Sequence, residues 1–533
     1  MFYVIQLYHN SNLTSYNRFM ILSADTILQT TNTDVVLLPG ETILKVIQSP
    51  KHIIKTPPST LRELYRLAQA KISSDVGKFE PIIASLSTEG AEYDLSEEFH
   101  RYEALFGRDS LRVAMNLIPI FPRLTHTTIM TLAELQGLEV DSTSEEEPGR
   151  IIHESRTKHD FIRKEITKKF GWDWPYYGSV DSTPEFIRVI YAYCSSLSDA
   201  SKFLSETYKD KNHSVRTIAD SLSLAVNWLK YRMDLNPEGF VESSRSNPEG
   251  IENQVWKDSW DSYFHNDGTM ANHKKGVASI EVQRVVYDAL LDAAELYEKK
   301  LNKPKEANEL KIRAESLKKA IFKHFWTEDK GGYFVIGTDR DMMGKIRKLK
   351  VRASNMGHLL HSRLLEGNNS KIVHFRESVI KTLFSDEMLT SNGIRTLASD
   401  EVRYRPGAYH NGSIWLWDNF LIIQGLRNNG YHCLANNLSA RLISIVEFTK
   451  KFPEFVRGDN TPQPTLNSQI IDVWDDVNQR LNRIEQPPQE VQAWSVAAIV
   501  AINYYETKSR GTYPKEFRDD FEAYILNSCK TCR

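Results

Sequence analysis

The sequence predicts a mainly α-helical protein whose helices close into a ring of hairpins behind a short β-rich N-terminal segment. Beyond about residue 55, apolar residues recur at the three- and four-residue spacing of a helix with one buried face. About a dozen such stretches occur, an even number that suits paired hairpins. The loops between them carry aromatic and acidic residues at irregular intervals, as expected where loops at one end of a barrel build a single site.

The N-terminal segment is predicted to form strands. Short β-branched runs begin at Phe2, Arg18, Asp34 and Thr42, and Asn, Thr, Gly or Pro residues separate them. Such runs between turn-forming residues are typical of strands. The whole chain is predicted to divide into a β-rich segment, a helical linker, a helical barrel and a C-terminal tail, at residues 1–55, 56–95, 96–510 and 511–533.

The helical part favours a ring over an open solenoid. A solenoid would repeat a unit of about 30 to 45 residues with similar turns, and the chain shows no such self-similarity. The predicted helices lie at residues 61–72, 111–120, 129–138, 186–203, 215–233, 279–301, 305–325, 354–365, 372–384, 414–427, 433–448 and 491–504.

Composition excludes several classes of protein. The chain has 533 residues and a net charge of −2, with basic and acidic residues interspersed. Binding to nucleic acid or to an anionic membrane would need a basic patch, so we expect neither partner and an uncharged substrate. No apolar window reaches the roughly 18 residues of a membrane span, and residues 1–8 lack a basic signal-peptide start. The cytoplasm is therefore the expected compartment.

The cysteines indicate neither a disulfide scaffold nor a metal site. Four are present, at positions 194, 433, 529 and 532, which is too few for a disulfide framework in a chain of this length. The terminal CKTC run holds only half of a tetrahedral metal site. We predict no cofactor, and the sequence does not indicate an oligomeric state.

Four segments combine Trp or Tyr with Asp, His, Asn and Arg: RYEALFGRDSL (101–111), YYGSVDSTPEF (176–186), NQVWKDSWDSYFHNDGTMA (253–271) and YRPGAYHNGSIWLWDN (404–419). A neutral polyhydroxylated ring is bound by flat apolar faces together with hydrogen-bonding groups. One such segment is as readily a packed loop with a helix cap. Four in one chain favour a sugar-binding site.

These segments, with HESR (153–156), GIRTLASDE (393–401) and QAWS (492–495), resemble in order the motifs of the amylo-alpha-1,6-glucosidase family. The family comprises the glucosidase part of glycogen debranching enzymes and its bacterial relatives. The resemblance extends from about residue 102 to about residue 501. It implies an (α/α)6 six-hairpin barrel, inverting hydrolysis of α-glucosidic bonds and a carbohydrate as the binding partner.

Inverting hydrolysis needs a carboxylic acid that protonates the leaving oxygen and a carboxylate that activates water on the opposite face. Asp258 lies between Trp256 and Trp260, and apolar surroundings raise a carboxyl pKa and keep the proton available near neutrality. It also matches the position of the family's general acid. Asp261 is the competing candidate and otherwise binds sugar hydroxyls or caps a helix.

Two residues are candidates for the general base. Glu490 stands four residues before Trp494, where the glucosidase part of debranching enzymes carries its base, and the preceding prolines stiffen its loop. The bacterial relatives usually lack this glutamate. Glu454 in FPEF, which resembles the family's PELF-type run, is the second candidate.

The other candidate site residues are expected to bind sugar. Arg108 and Asp109 suit a charge pair that grips vicinal hydroxyls, or a structural pair at a helix start. His410 offers a donor and Asn411 an amide, while no second ligand at metal spacing accompanies His410. The aromatic cluster 172–177 suits either stacking or packing. The full set of candidate substrate-binding residues is Arg108, Asp109, Tyr177, Asp181, Trp256, Lys257, Asp261, His410, Asn411, Trp415 and Trp494.

The function most consistent with the resemblance is release of glucose from α-1,6 branch stubs of glycogen or branched oligosaccharides. Two alternatives stay open. The same barrel suits another α-linked sugar, for example a glycosylglycerate, and a barrel without its base would only bind carbohydrate.

Overall fold

The computed structural model confirms a mainly helical protein. The predicted helix at 61–72, the last two N-terminal strand runs, Glu490 and the CKTC run lie outside the described residues, as do all the predicted domain boundaries. The structure describes residues 104–466 except 157 and 159, residues 488–489, 491–509 and 519–528, and strands at 3–6, 19–22, 85–86, 469–475 and 480–486.

The α-helices of the described residues are numbered in chain order. They are α1 Gly107–Leu117, α2 Pro122–Glu134, α3 Phe161–Phe170, α4 Ser182–Ser196, α5 Ala200–Leu204, α6 Ile218–Asp234, α7 Ile280–Lys299, α8 Pro304–His324, α9 Ser370–Leu383, α10 Leu416–Asn428, α11 His432–Thr449, α12 Ala493–Ser509 and α13 Asp519–Ser528. The described part of the chain also has 3₁₀ segments at His273–Lys275, Asp329–Gly331, Ser354–His361 and Arg363–Leu365.

Six elements form a closed inner ring. α1 packs on α4, α4 on α7, α7 on the 3₁₀ helix Ser354–His361, that helix on α10, and α10 on α12. Contacts between α12 and α1 close the ring. Helices α2, α6, α8, α9 and α11 pack outside these inner elements. α12 is buried on all sides from Val496 to Ile502, which explains its apolar sequence.

The strands are short and pair as antiparallel ribbons. The first two predicted N-terminal runs contain strands, β1 and β2, and these pair with each other. The strands of the described residues are β1 Tyr3–Gln6, β2 Phe19–Leu22, β3 Ser85–Leu86, β4 Leu105–Phe106, β5 Glu154–Ser155, β6 Thr207–Lys209, β7 Val215–Thr217, β8 Ala278–Ser279, β9 Trp326–Thr327, β10 Tyr333–Phe334, β11 Gly337–Arg340, β12 Ile346–Leu349, β13 Leu389–Thr390, β14 Gly393–Ile394, β15 Ile414–Trp415, β16 Phe455–Val456, β17 Gln469–Asp475, β18 Arg480–Gln486 and β19 Val491–Gln492.

The structure corrects two predicted helices. The stretch predicted at 354–365 is a pair of 3₁₀ helices. A side chain at Gly357 would lie 2.7 Å from Ile422 of α10, and one at Gly425 would meet the backbone of Leu360 at 2.5 Å, so the two elements pack closely here. The stretch 186–203 is broken before α5, where the Asp199 carboxylate accepts hydrogen bonds from the new helix. Helices α3 and α13, of ten residues each, were not predicted.

None of the helices in the described part of the chain is long and apolar enough to cross a membrane.

Candidate active site

The inner helices begin at one end of the ring, and the segments before them carry the aromatic and acidic motifs. Phe106 in β4 pairs with Glu154 in β5 and leads directly into α1. Trp415 in β15 pairs with Phe455 in β16 and leads into α10. These short ribbons bring loops that are distant in the sequence to the same end of the barrel.

A cavity of about 470 Å3, part of it open to solvent, lies at this end. Among the described residues, its walls combine three carboxylates, one arginine, two histidines, amides and aromatic rings. The lining residues are Phe106, Arg108, Asp109, His153, Trp256, Asp258, Tyr409, His410, Trp415, Glu454, Gln489, Gln492 and Trp494.

The Asp258 carboxyl is 32% exposed and lines the cavity. Its Oδ2 lies 3.7 Å from Nη2 of Arg108, and its Oδ1 lies 3.9 Å from Nδ1 of His410. Burial, with smaller contributions from the neighbouring carboxylates of Asp109 and Asp181, raises the pKa of Asp258 to about 7 against the opposing charge of Arg108. The carboxyl is therefore partly protonated at neutral pH, so a proton is available for donation.

Arg108 connects three aspartates. Besides Asp258, it lies 3.2 Å from Asp181 Oδ2 and 3.8 Å from Asp109 Oδ2, and it is 6% exposed. Burial alone would lower its pKa, but the three carboxylates raise it. Burial raises the pKa of Asp109 to about 6 although Arg108 opposes this. The guanidinium thus stays charged and holds Asp258 on one side of the cavity.

Glu454 is the second carboxylate with a strongly raised pKa. It precedes β16 and is 5% exposed. Burial raises its pKa to about 7, and the hydroxyl of Tyr409 and the backbone N–H of Gln489 oppose this by donating hydrogen bonds to the carboxylate. The Glu454 backbone N–H also donates to the carbonyl of Gln489 at 2.9 Å. Two hydrogen bonds therefore join Glu454 to the segment before α12.

A cluster of tryptophans forms an apolar wall. Trp256 is 2% exposed and meets Trp415 and Trp417 edge to face, at centroid distances of 5.9 and 4.9 Å. Trp494 stacks on Trp417 at 4.9 Å. Edge-to-face and stacked packing of this kind fixes ring orientation, so the wall is rigid. Asp258 therefore has an apolar neighbour on one side, Trp256, but Trp260 on the other side is 56% exposed.

His410 is a neutral hydrogen-bond donor. Its ring stacks on Trp415, and burial holds its pKa well below the ordinary value. The backbone N–H of Ser259 donates to Nδ1 at 3.3 Å, and the Ser259 hydroxyl lies 2.8 Å from the same atom. A backbone N–H only donates, so the single proton of the neutral ring lies on Nε2. In the described part of the chain, no group of three or more His, Cys, Asp or Glu residues is arranged to hold a metal ion.

Of the sequence-predicted site residues, Arg108, Asp109, Trp256, Asp258, His410, Trp415, Glu454 and Trp494 line the cavity. Asp181 does not line it, but its carboxylate anchors Arg108. Glu490 lies outside the described residues and stays a prediction.

Four other predicted sugar-binding residues are not among those lining the cavity. Tyr177 is fully buried, and its hydroxyl donates to the carbonyl of Leu135, so it packs rather than stacks on sugar. Lys257 is also fully buried, with Nζ donating to the carbonyl of Thr396 at 2.6 Å. The Asn411 amide donates to the backbone carbonyl of Asp261 and joins the two loops. The side chains of Tyr177, Lys257 and Asn411 and the backbone carbonyl of Asp261 are therefore hydrogen-bonded to neighbouring parts of the chain.

Five lining residues were not singled out from the sequence: Phe106, His153, Tyr409, Gln489 and Gln492. All but Gln489 belong to the motifs that carry the family resemblance, and this membership was the available signal. Burial and the nearby Arg108 hold the pKa of His153 well below its ordinary value, so its imidazole is neutral.

A family model described as amylo-alpha-1,6-glucosidase matches residues 150–501. The chain belongs to the amylo-alpha-1,6-glucosidase family. The match includes Asp258, Glu454 and Glu490 and begins after the FGRDSL motif. The protein is therefore a glycoside hydrolase that acts on carbohydrate. No curated protein matches the chain.

Solved structures of the GH63 mannosylglycerate hydrolase from Thermus thermophilus share the fold of this glycosidase. The complex with Tris matches with a TM-score of 0.53 at 14% identity, covering 84% of this chain and 100% of that chain. The complex with Tris and D-glycerate has a TM-score of 0.52 at 14% identity, covering 84% and 98%. The complex with glucose has a TM-score of 0.51 at 14% identity, covering 84% and 100%. The likeness confirms the six-hairpin (α/α)6 barrel.

Proposed function

We propose that this glycosidase is an inverting α-glucosidase that releases glucose from α-1,6 branch stubs of glycogen or branched oligosaccharides. One observation carries the proposal: Asp258 and Glu454, from different loops, line one cavity, and burial raises the pKa of both carboxyls to about 7. Inverting hydrolysis uses two carboxyl groups on opposite faces of the scissile bond, one protonated as the acid and one ionised as the base.

In the proposed mechanism, Asp258 donates its proton to the glycosidic oxygen as the bond to C1 breaks. Glu454 takes a proton from a water molecule that attacks C1 from the opposite face, and the product is β-glucose. Arg108, 3.7 Å from Asp258, stabilises the carboxylate that remains after the proton has left. Exchange with solvent then restores both protonation states.

Glu454 is the better-supported base among the two candidates. It lines the cavity, and it is hydrogen-bonded by Tyr409 and by the backbone of Gln489, which hold the carboxylate in place. Gln489, the neighbour of Glu490, lines the same cavity. Substitution of Glu454 and of Glu490 therefore distinguishes the two candidate bases.

The charge of the cavity favours a neutral substrate over a glycosylglycerate. Arg108 is the one permanent cation among the described lining residues, and it already faces Asp109, Asp181 and Asp258. A glycerate carboxylate in this cavity would meet further carboxylates without an unshared cation, which is unfavourable at short range. A glucosyl branch carries no charge and avoids this repulsion.

The test is anomer-resolved NMR of purified protein with a maltooligosaccharide that carries one α-1,6-linked glucose. We expect β-glucose in the first spectra, before mutarotation mixes the anomers. Immediate α-glucose would contradict inversion. If the protein hydrolysed glucosylglycerate or mannosylglycerate but not the branched substrate, its substrate would be a glycosylglycerate and not an α-glucan.

Tyr409→Phe should shift the pH dependence of the reaction. The Tyr409 hydroxyl donates to Glu454 and thereby lowers the pKa of that carboxyl. Without the hydroxyl, the pKa of Glu454 rises, and more of the base is protonated at a given pH. We expect the acidic limb of kcat/KM against pH to move to higher pH, with about tenfold lower activity on that limb and little change above it. A uniform loss at all pH values would contradict this role.

A further inference from the structure

Trp260 is an exposed aromatic residue beside the proposed catalytic acid. Its exposed fraction is 56%, whereas Trp256, at the same distance along the chain on the other side of Asp258, is 2% exposed. The ring contacts found in the described part of the chain place Trp256 against Trp415 and Trp417 and do not include Trp260. Single exposed apolar side chains are common, so the exposure of Trp260 is informative only together with its place two residues after Asp258.

The backbone on both sides of Trp260 is held in place. The Ser259 N–H donates to His410 Nδ1, and the Ser259 carbonyl accepts from the Asn253 amide at 2.8 Å. On the other side, the Asp261 carbonyl accepts from the Asn411 amide at 2.9 Å. The turn that carries the exposed indole is therefore fixed, so a ligand that stacks on the ring orders only the side chain and not the backbone.

Trp260 lies close along the chain to the residue that protonates the leaving group in the proposed mechanism. Two residues of extended chain span at most about 7 Å, so the Cα of Trp260 lies within that distance of the Cα of Asp258. The acid protonates the oxygen of the leaving group, so the sugar attached to that oxygen lies on the Asp258 side of the cavity. A flat indole face within one or two sugar rings of that oxygen suits stacking.

We propose that Trp260 is a stacking platform for the leaving group, namely the neutral α-glucan chain from which the terminal glucose is released. The platform rests on the proposed function and extends it, because it assigns a binding subsite outside the cavity. With this platform, kcat/KM is higher when the leaving group is an oligosaccharide than when it has no sugar ring.

The test compares two substrates with different leaving groups. One is the maltooligosaccharide with a single α-1,6-linked glucose, and the other is α-glucosyl fluoride, whose leaving group has no ring. Trp260→Ala should lower kcat/KM for the branched substrate by about tenfold or more, which corresponds to about 1.4 kcal/mol. The loss with the fluoride should stay below about twofold, since binding energy from remote sugar units is absent there. Trp260→Phe should keep most of the activity, because it keeps an aromatic face.

Tyr231→Ala provides a matched control. Tyr231 is 55% exposed and lies on α6, an outer helix, so its removal should alter neither reaction. An equal loss with both substrates for Trp260→Ala would overturn the platform, as would unchanged kcat/KM for the branched substrate. Both results would leave the proposed function in place, because the wild type still releases glucose. Absence of wild-type turnover with both substrates would contradict the proposed function and the platform together.

Discussion

Asp258→Asn is expected to lower turnover of the branched α-1,6 substrate by about 10³-fold, within the range of general acid catalysis, while substrate binding is retained. The amide keeps the size and shape of the carboxyl but has no acidic proton to donate. The raised pKa of about 7 is what makes the wild-type proton available near neutrality. Steady-state kinetics give the loss, and calorimetric titration with a maltooligosaccharide checks that binding survives.

α-Glucosyl fluoride serves as the control substrate for this variant. Fluoride leaves without a proton, so loss of the acid should reduce its hydrolysis far less than it reduces hydrolysis of the branched sugar. If both reactions fell equally, Asp258 would act elsewhere in the mechanism, and Asp261, the competing candidate, would need the same test. Unchanged activity on the branched substrate would remove Asp258 from the mechanism.

Glu454→Gln is expected to lower the turnover of both substrates by about 10³-fold, because attack by water is common to the two reactions. The carbonyl oxygen of the glutamine side chain can still accept a hydrogen bond from the Tyr409 hydroxyl, so the site should keep its packing. The contrast with Asp258→Asn is the decisive measurement. Loss of the acid spares the fluoride, and loss of the base does not.

Glu490→Gln, measured in parallel, separates the two candidate bases. If Glu454 is the base, Glu490→Gln should keep activity within a few-fold of the wild type on the scale of these acid–base losses. The reverse result would assign the role to Glu490. Loss by neither variant would point to another carboxylate, and Asp109, which lines the cavity with a pKa raised to about 6, would be the next to substitute.

The sequence predicted the fold class because helical periodicity is a local property. Apolar spacing located α1, α6, α7, α8, α9 and α10 to within a few residues, but it did not reveal that Ser354–His361 is a 3₁₀ helix. This segment packs closely against α10 at Gly357 and Gly425. No local pattern reports a contact between elements so distant in the chain.

The site shows the same division between local and distant information. Residue types in the motifs indicated a sugar site with Asp258 as its acid, and the family resemblance named both candidate bases. Tyr177 and Lys257 have equally suitable chemistry, yet Leu135 and Thr396 already accept their hydrogen bonds. Only the packed structure distinguishes a side chain that lines the cavity from one that supports it.

By itself, the sequence therefore determined the helical class, the family resemblance and the set of chemical groups available. The tertiary structure decided which groups meet. In the closed ring, Asp258 from the loop between α6 and α7 and Glu454 from the segment between α11 and α12 line one cavity, and burial there raises both pKa values to about 7. Proximity and desolvation arise only when distant loops are packed together, so neither can be read from a local sequence pattern.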